Sequence, residues 1–163
     1  MSKVYLSLGG NIGDKKANFK EAEKQVGQLL GIIIQRSSVY ETPPWGFHAD
    51  DNFWNRVLLI ETDKDPESLL SEIHKIENSF GRKRQAGKYL SRQIDIDILY
   101  YDDIFLETGD LVIPHPLIQQ RKFVLVPLAE IAPGLKHPLL RFTTIEMLDN
   151  CRDESVVKKI EFD

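Results

Sequence analysis

The stretch Arg92-Gln93-Ile94-Asp95-Ile96-Asp97-Ile98-Leu99 constrains this chain more than any other. Isoleucine and aspartate alternate with a period of two. Only an extended strand keeps that pattern in order, with Ile94, Ile96 and Ile98 on one face and Asp95 and Asp97 on the other. The fold must therefore supply a sheet with a core under one face and an acidic patch on the opposite one. At about 3.3 Å per residue, the two aspartate Cα atoms stand roughly 6.6 Å apart. Carboxylates that close repel, and a proton or a cation relieves them. Hard oxygen ligands so spaced suit Mg2+, which takes one or two carboxylates and keeps other positions for water and phosphate oxygens. The competing explanation is an edge strand carrying charge against aggregation. For an Asp-x-Asp pair standing alone, that is the commoner case.

What precedes the pair tips the balance. Between Arg82 and Arg92 lie five cations (Arg82, Lys83, Arg84, Lys88, Arg92) and no acid, in a protein of net charge −4. A short basic run joined to an acidic strand suits a small polyanion carrying a metal, rather than a long nucleic acid. Arginine forks match phosphate oxygens, and Pro114-His115 and Arg121-Lys122 add donors further along. Mg-ATP meets every part of this arrangement, because phosphoryl transfer is catalysed mainly by positioning and charge stabilisation. The chain has no Gly-x-x-x-x-Gly-Lys-Ser/Thr loop, no Gly-x-Gly-x-x-Gly and no protein-kinase signature. The nucleotide site has to be built another way.

Upstream, Thr42-Pro43-Pro44-Trp45-Gly46 precedes Asn52-Phe53-Trp54-Asn55, and Phe123 follows much later. Stiff prolines, rings and an amide fit a flat heteroaromatic substrate, the rings by stacking and Asn55 as both donor and acceptor for a ring edge. Taken singly, Phe53, Trp54 and Phe123 are more often ordinary core residues.

The pattern of the rest predicts an α+β fold. A strand over 3–8 ends in Gly9-Gly10-Asn11, and Asp14 caps a helix over 15–30 whose apolar stripe is Phe19, Ala22, Val26 and Leu29/Leu30. A second strand starts within 32–40, the proline-bearing 41–51 is irregular, and 53–61 is a third strand. Asp65-Pro66-Glu67 opens a helix that runs to about residue 80 and stops at Gly81. The acidic strand spans 93–101, a short strand closes at Pro114, and short helices are expected near 116–121, 126–132 and 143–150. In the charged tail, Val156, Val157, Ile160 and Phe162 are the candidates to pack on the body. Strand, helix, two strands, helix, strand is the split βαβ order of a ferredoxin-like sandwich, with helices on an antiparallel sheet.

At 163 residues and 42% hydrophobic, a single domain over 1–163 is expected. Its apolar stretches fall short of the roughly 20 residues of a membrane helix, and residues 1–6 lack the pattern of a signal peptide. Cys151 is the only cysteine, so no internal disulfide forms. These features point to the cytosol, with no membrane or nucleic-acid partner.

Taken in order, Thr42-Pro43-Pro44, Phe53-x-Asn55, Gly81-Arg82-x-Arg84, Arg92-x-x-Asp95-x-Asp97-Ile98, Pro114-His115 and Arg121-x-Phe123 resemble the motif set of the 6-hydroxymethyl-7,8-dihydropterin pyrophosphokinases, over residues 3–135. The resemblance implies transfer of pyrophosphate from ATP to the substrate's hydroxymethyl oxygen, giving AMP. It implies Asp95 and Asp97 as ligands of two Mg2+ ions, with Arg82 and Arg92 assisting the transition state. It implies nucleotide contacts from His74, Glu77, Arg82, Arg84, Tyr89, Arg92, Ile98 (through its backbone), His115 and Arg121. The pterin would lie between Phe53 and Phe123, its edge met by Asn55 and by the chain around Gly9, Thr42, Pro43, Pro44 and Trp45. Such enzymes are commonly monomeric. Tyr89, Ser91, Phe53, Pro116 and His74 stand where the better-known members carry tryptophan, proline, tyrosine, tyrosine and glutamine. No side chain stands out as a general base. The alternative reading is a non-catalytic RNA- or nucleotide-binding ferredoxin-like module.

Overall fold

A computed structural model of the chain describes residues 1–43, 52–81 and 93–162. Strand β1 (Ser2–Gly10) is followed by helix α1 (Lys15–Leu29), strands β2 (Ile32–Arg36), β3 (Val39–Thr42) and β4 (Phe53–Thr62), helix α2 (Pro66–Ser79) and strand β5 (Asp95–Tyr101). Then come the small hairpin β6 (Leu106–Glu107) and β7 (Val112–Ile113), a 3-10 turn at Ile118–Gln120, helices α3 (Lys122–Ile131) and α4 (Thr144–Asp149), and strand β8 (Lys158–Ile160). The main sheet runs β5-β1-β4-β3-β8, with β2 also paired to β4. These pairings are antiparallel. Each βαβ crossover therefore brackets one antiparallel strand, which is the ferredoxin-like arrangement expected from the order of elements.

Local signals set the helix ends. The Asp14 carboxylate accepts the Ala17 N–H at 3.1 Å, and Asp65 accepts the Ser68 N–H at 2.8 Å ahead of Pro66. Gly81 takes a φ of +73°, a left-handed turn past the end of α2 that side chains resist. Phe19, Ala22, Val26 and Leu30 of the first helical stretch are buried, together with Leu69, Ile73 and Ile76 of α2, against Val4, Leu6, Leu8, Leu58 and Ile60 of the sheet. Leu29 instead points outward, because the stripe closes on Leu30 one position later. Among the described residues no helix is long and apolar enough to cross a membrane.

Three expectations need revision. The stretch 32–40 makes two strands, since the chain kinks at Ser37, whose N–H donates to Val57 O and whose Oγ accepts the Val57 N–H. Glu41 and Thr42 belong to β3 rather than to an irregular segment. Helix α3 starts at Lys122, four residues before the expected point. Pro127 looks like a helix opener in sequence, but it sits inside α3 and cannot donate to the Phe123 carbonyl. In the tail, Ile160 and Phe162 do pack on the body, whereas Val156 is 70% exposed.

The second face of the sheet is covered only in part. Val57, Leu99 and Tyr100 pack there under Ile118, Val124, Leu125, Leu128 and Met147 from the C-terminal helices. The remainder of that face is where the predicted site residues gather.

Candidate active site

Strand register brings the predicted residues together. Asn55 of β4 pairs with Gly9 of β1, and Gly9 pairs on its other side with Asp95 of β5. Tyr40 of β3 flanks Asn55. Directly paired residues share a face, so Tyr40, Asn55, Gly9 and Asp95 form one row across the sheet. The next row holds Val57, Ser7 and Asp97, and Thr42 pairs with Phe53 beyond Asn55. At about 4.8 Å between strands, Asn55 and Asp95 are roughly 10 Å apart across the sheet. Asp95 and Asp97 therefore project from one face, while Ile94, Ile96 and Ile98 go into the core under α2, as the alternation predicts.

Gly9 has a packing reason to be glycine. A Cβ there would stand 2.6 Å from Asn55 Oδ1, so the amide lies across bare backbone. Asn55 is itself buried. The opposite edge of the floor is held by Glu77 of α2, which is 2% exposed and whose Oε2 accepts the Ile96 N–H at 2.9 Å. This bond fixes the outer edge of β5 between the two aspartates. Ile98, two residues on, turns its N–H and C=O to that same edge. His74 lies one turn before Glu77 on α2.

The far wall comes from the segment after β7. The His115 N–H donates to Leu99 O at 2.9 Å, which lays the Pro114-His115 segment along β5. His115 Nδ1 accepts the Leu117 N–H at 3.1 Å, so the neutral ring carries its proton on Nε2. Burial pushes the His115 pKa down to about 4; the Arg121 cation pushes the same way, and the Asp95 carboxylate opposes. His115 thus lies within electrostatic reach of both Arg121 and Asp95. Arg121 precedes the first turn of α3, with its guanidinium carbon 5.7 Å from the centre of the Phe123 ring.

Three supports were not visible in the motifs. Glu130 of α3 accepts from Ser38 N–H, Ser38 Oγ and, at 2.6 Å, Tyr40 OH, tying the helix that bears Phe123 to the strand that bears Thr42. Asp153 accepts the Lys122 N–H at the start of α3. Lys15 donates to Asn52 O and lies over the Trp54 ring, bracing the start of β4. Each joins residues far apart in sequence, with no pattern to announce it. Pro44, Trp45, Arg82, Arg84, Tyr89 and Arg92 lie outside the described residues, so the basic run is not part of this geometry. Pro43 is the last described residue before the first of those gaps.

Among the described residues no group of three or more His, Cys, Asp or Glu side chains forms a self-sufficient metal cage. A carboxylate pair on one face is nonetheless a suitable donor set for Mg2+, which completes its shell with water and phosphate oxygens.

Comparison with known proteins gives a consistent result. Residues 5–133 match the family described as 7,8-dihydro-6-hydroxymethylpterin-pyrophosphokinase. The 2-amino-4-hydroxy-6-hydroxymethyldihydropteridine pyrophosphokinase of Aquifex aeolicus is 42% identical over 141 residues, covering 86% of this chain and 87% of that protein. The folic acid synthesis protein FOL1 of Dictyostelium discoideum is 43% identical over 148 residues, covering 88% of this chain but 22% of that longer protein. The Plasmodium falciparum HPPK-DHPS crystal structure with STZ-DHP superposes with a TM-score of 0.74 at 20% identity, over 91% of this chain and 43% of that one. This last likeness bears on the fold alone.

Proposed function

The chain belongs to the 7,8-dihydro-6-hydroxymethylpterin-pyrophosphokinase family, and from that premise we propose that residues 1–163 act as one monomeric cytoplasmic domain that transfers pyrophosphate from Mg-ATP to 6-hydroxymethyl-7,8-dihydropterin in folate synthesis. The observation that carries the reading is the single row Asn55–Gly9–Asp95. It sets an amide suited to a heterocycle's edge and a carboxylate suited to a metal on one floor, two strands apart.

The substrate's hydroxymethyl oxygen bonds to the β-phosphorus of ATP as the bridge from that phosphorus to the α-phosphate oxygen breaks. AMP leaves, and the hydroxyl proton is lost. Mg2+, two ions by family expectation, would be held by Asp95 and Asp97 and supplies charge neutralisation on the phosphate oxygens. Asn55 orients the pterin edge, and Phe53 and Phe123 stack on its two sides. His115 offers its Nε2–H to a phosphate oxygen without adding charge. Arg121 offers a guanidinium fork, while Arg82, Arg84 and Arg92 are assigned the remaining phosphate charge on the strength of their motifs. Glu77 holds the β5 edge, next to which the Ile98 backbone is assigned to the adenine.

Supplying Mg-ATP with the hydroxymethyl pterin should yield AMP and the pterin diphosphate in equal amounts by ion-exchange chromatography. ADP as the nucleotide product would overturn the reading. The RNA-binding alternative gains no support, since the face that bears Phe53 also bears two aspartates that repel a phosphate backbone.

A further inference from the structure

A second charged site lies on the other face of the sheet. Where the chain kinks between β2 and β3, under α1, an open surface depression of about 450 Å3 is lined by Lys20, Glu23, Lys24, Arg36, Arg56 and Phe162. Four cations face one carboxylate there, in a protein whose net charge is −4. We propose that this depression is an anion-binding site for a compact phosphorylated ligand with at least two negative charges, separate from the aspartate floor.

The base of the depression is a fixed guanidinium. Arg56 is 8% exposed. It donates from Nε and Nη2 to Ser37 O at 3.0 and 2.8 Å, and from Nη1 to Glu23 Oε2 at 2.8 Å. Its plane is seated on the Phe162 ring, 4.8 Å from the centre. Glu23 spends its other oxygen on Arg36 Nε at 2.6 Å. One carboxylate therefore serves two guanidinium groups and neutralises only one. Lys20 and Lys24 stand four residues apart on the same side of α1, a spacing at which like charges destabilise a helix. Neither takes part in an ion pair among the described residues. A monoanion would leave most of this charge uncompensated, whereas a phosphate ester or polyphosphate matches it. The Arg56 charge is held in advance by these bonds, so its position costs little further ordering when an anion arrives.

The test is an NMR titration with inorganic pyrophosphate at constant ionic strength and without Mg2+, following the Arg56 Nε–H and the amides of α1. The wild-type chain should show a saturable shift. In the Lys20→Glu/Lys24→Glu variant the apparent Kd should rise at least tenfold, with the rate of AMP formation unchanged within twofold. Both lysines are exposed, so the variant keeps its fold, and Lys20→Ala/Lys24→Ala should show a smaller loss in the same direction. An unchanged Kd in both variants would sink the proposal, as would a wild-type shift that equal ionic strength of sodium chloride reproduces. Because the readout is anion binding at Arg56, it stands apart from the reaction assigned to the other face.

Discussion

The two faces of the main sheet are made by the same strands yet carry different work. On the side of α1 and α2 the strand residues Val4, Leu6, Leu8, Leu58, Ile60, Ile96 and Ile98 form one apolar layer. On the other side the apolar cover stops halfway. Val57 and Tyr100 lie under α3 and α4, and then Ser7, Gly9, Asn55, Asp95 and Asp97 take over. Ile96 and Asp97 are sequence neighbours, but one faces the core and the other the opposite side of the sheet because strand side chains alternate. Parity along the strand is what divides the labour.

The hardest test of that division is at the aspartates. Asp95→Asn and Asp97→Asn keep the size and the place on the strand but remove the charge proposed to hold Mg2+. Turnover should fall by about a thousandfold or more, several kcal/mol of barrier, while the chain remains folded. Near-normal rates, or unfolding, would break the comparison. On the opposite face, Ile73→Ala empties a fully buried site and should cost about 2–5 kcal/mol of stability in urea unfolding. Its kcat/KM, measured where the variant is still folded, should match the parent.

Gly9→Ala probes the row itself. Its Cβ would meet Asn55 Oδ1 at 2.6 Å, so the amide must swing away and lose the proposed bond to the pterin edge, a loss of about 1–2 kcal/mol. The pterin KM should rise roughly tenfold, with the affinity for an ATP analogue unaltered. Equal losses for both ligands would mean that the row is a single rigid floor rather than two adjoining subsites.

Much of this plan was legible in the chain, and the reasons are local. The period of two in 94–98 announced a strand with two unlike faces, and Asp14, Asp65 and Gly81 announced helix ends through caps a single residue can make. The kink at Ser37 was not legible, because its cause is Val57, a residue on another strand. The start of α3 lies four residues before the expected point, and the Asp153 carboxylate that meets the Lys122 N–H there comes from the far end of the chain. Glu77 could be named as a site residue from its motif position. Its bond to the Ile96 N–H could not, since that depends on how α2 lies along β5.

His115 stands at the border between the two regimes. In the folded chain its pKa lies at about 4, against an ordinary 6.5, chiefly through burial, with Arg121 adding to the depression and Asp95 opposing it. Between these values the unfolded chain holds more protons than the folded one. The His115 contribution to stability therefore rises with pH through that window, is complete above 6.5 and is lost as pH falls toward 4. An NMR titration should find the His115 midpoint near 4 and no His115 transition around neutral pH. His115→Asn should flatten that part of the stability profile. The neighbours separate the causes: Arg121→Gln should raise the midpoint, and Asp95→Asn should lower it further by removing a charge that favours the imidazolium. A midpoint near 6.5 that neither substitution moves would mean that His115 faces open water, apart from the acid pair on β5.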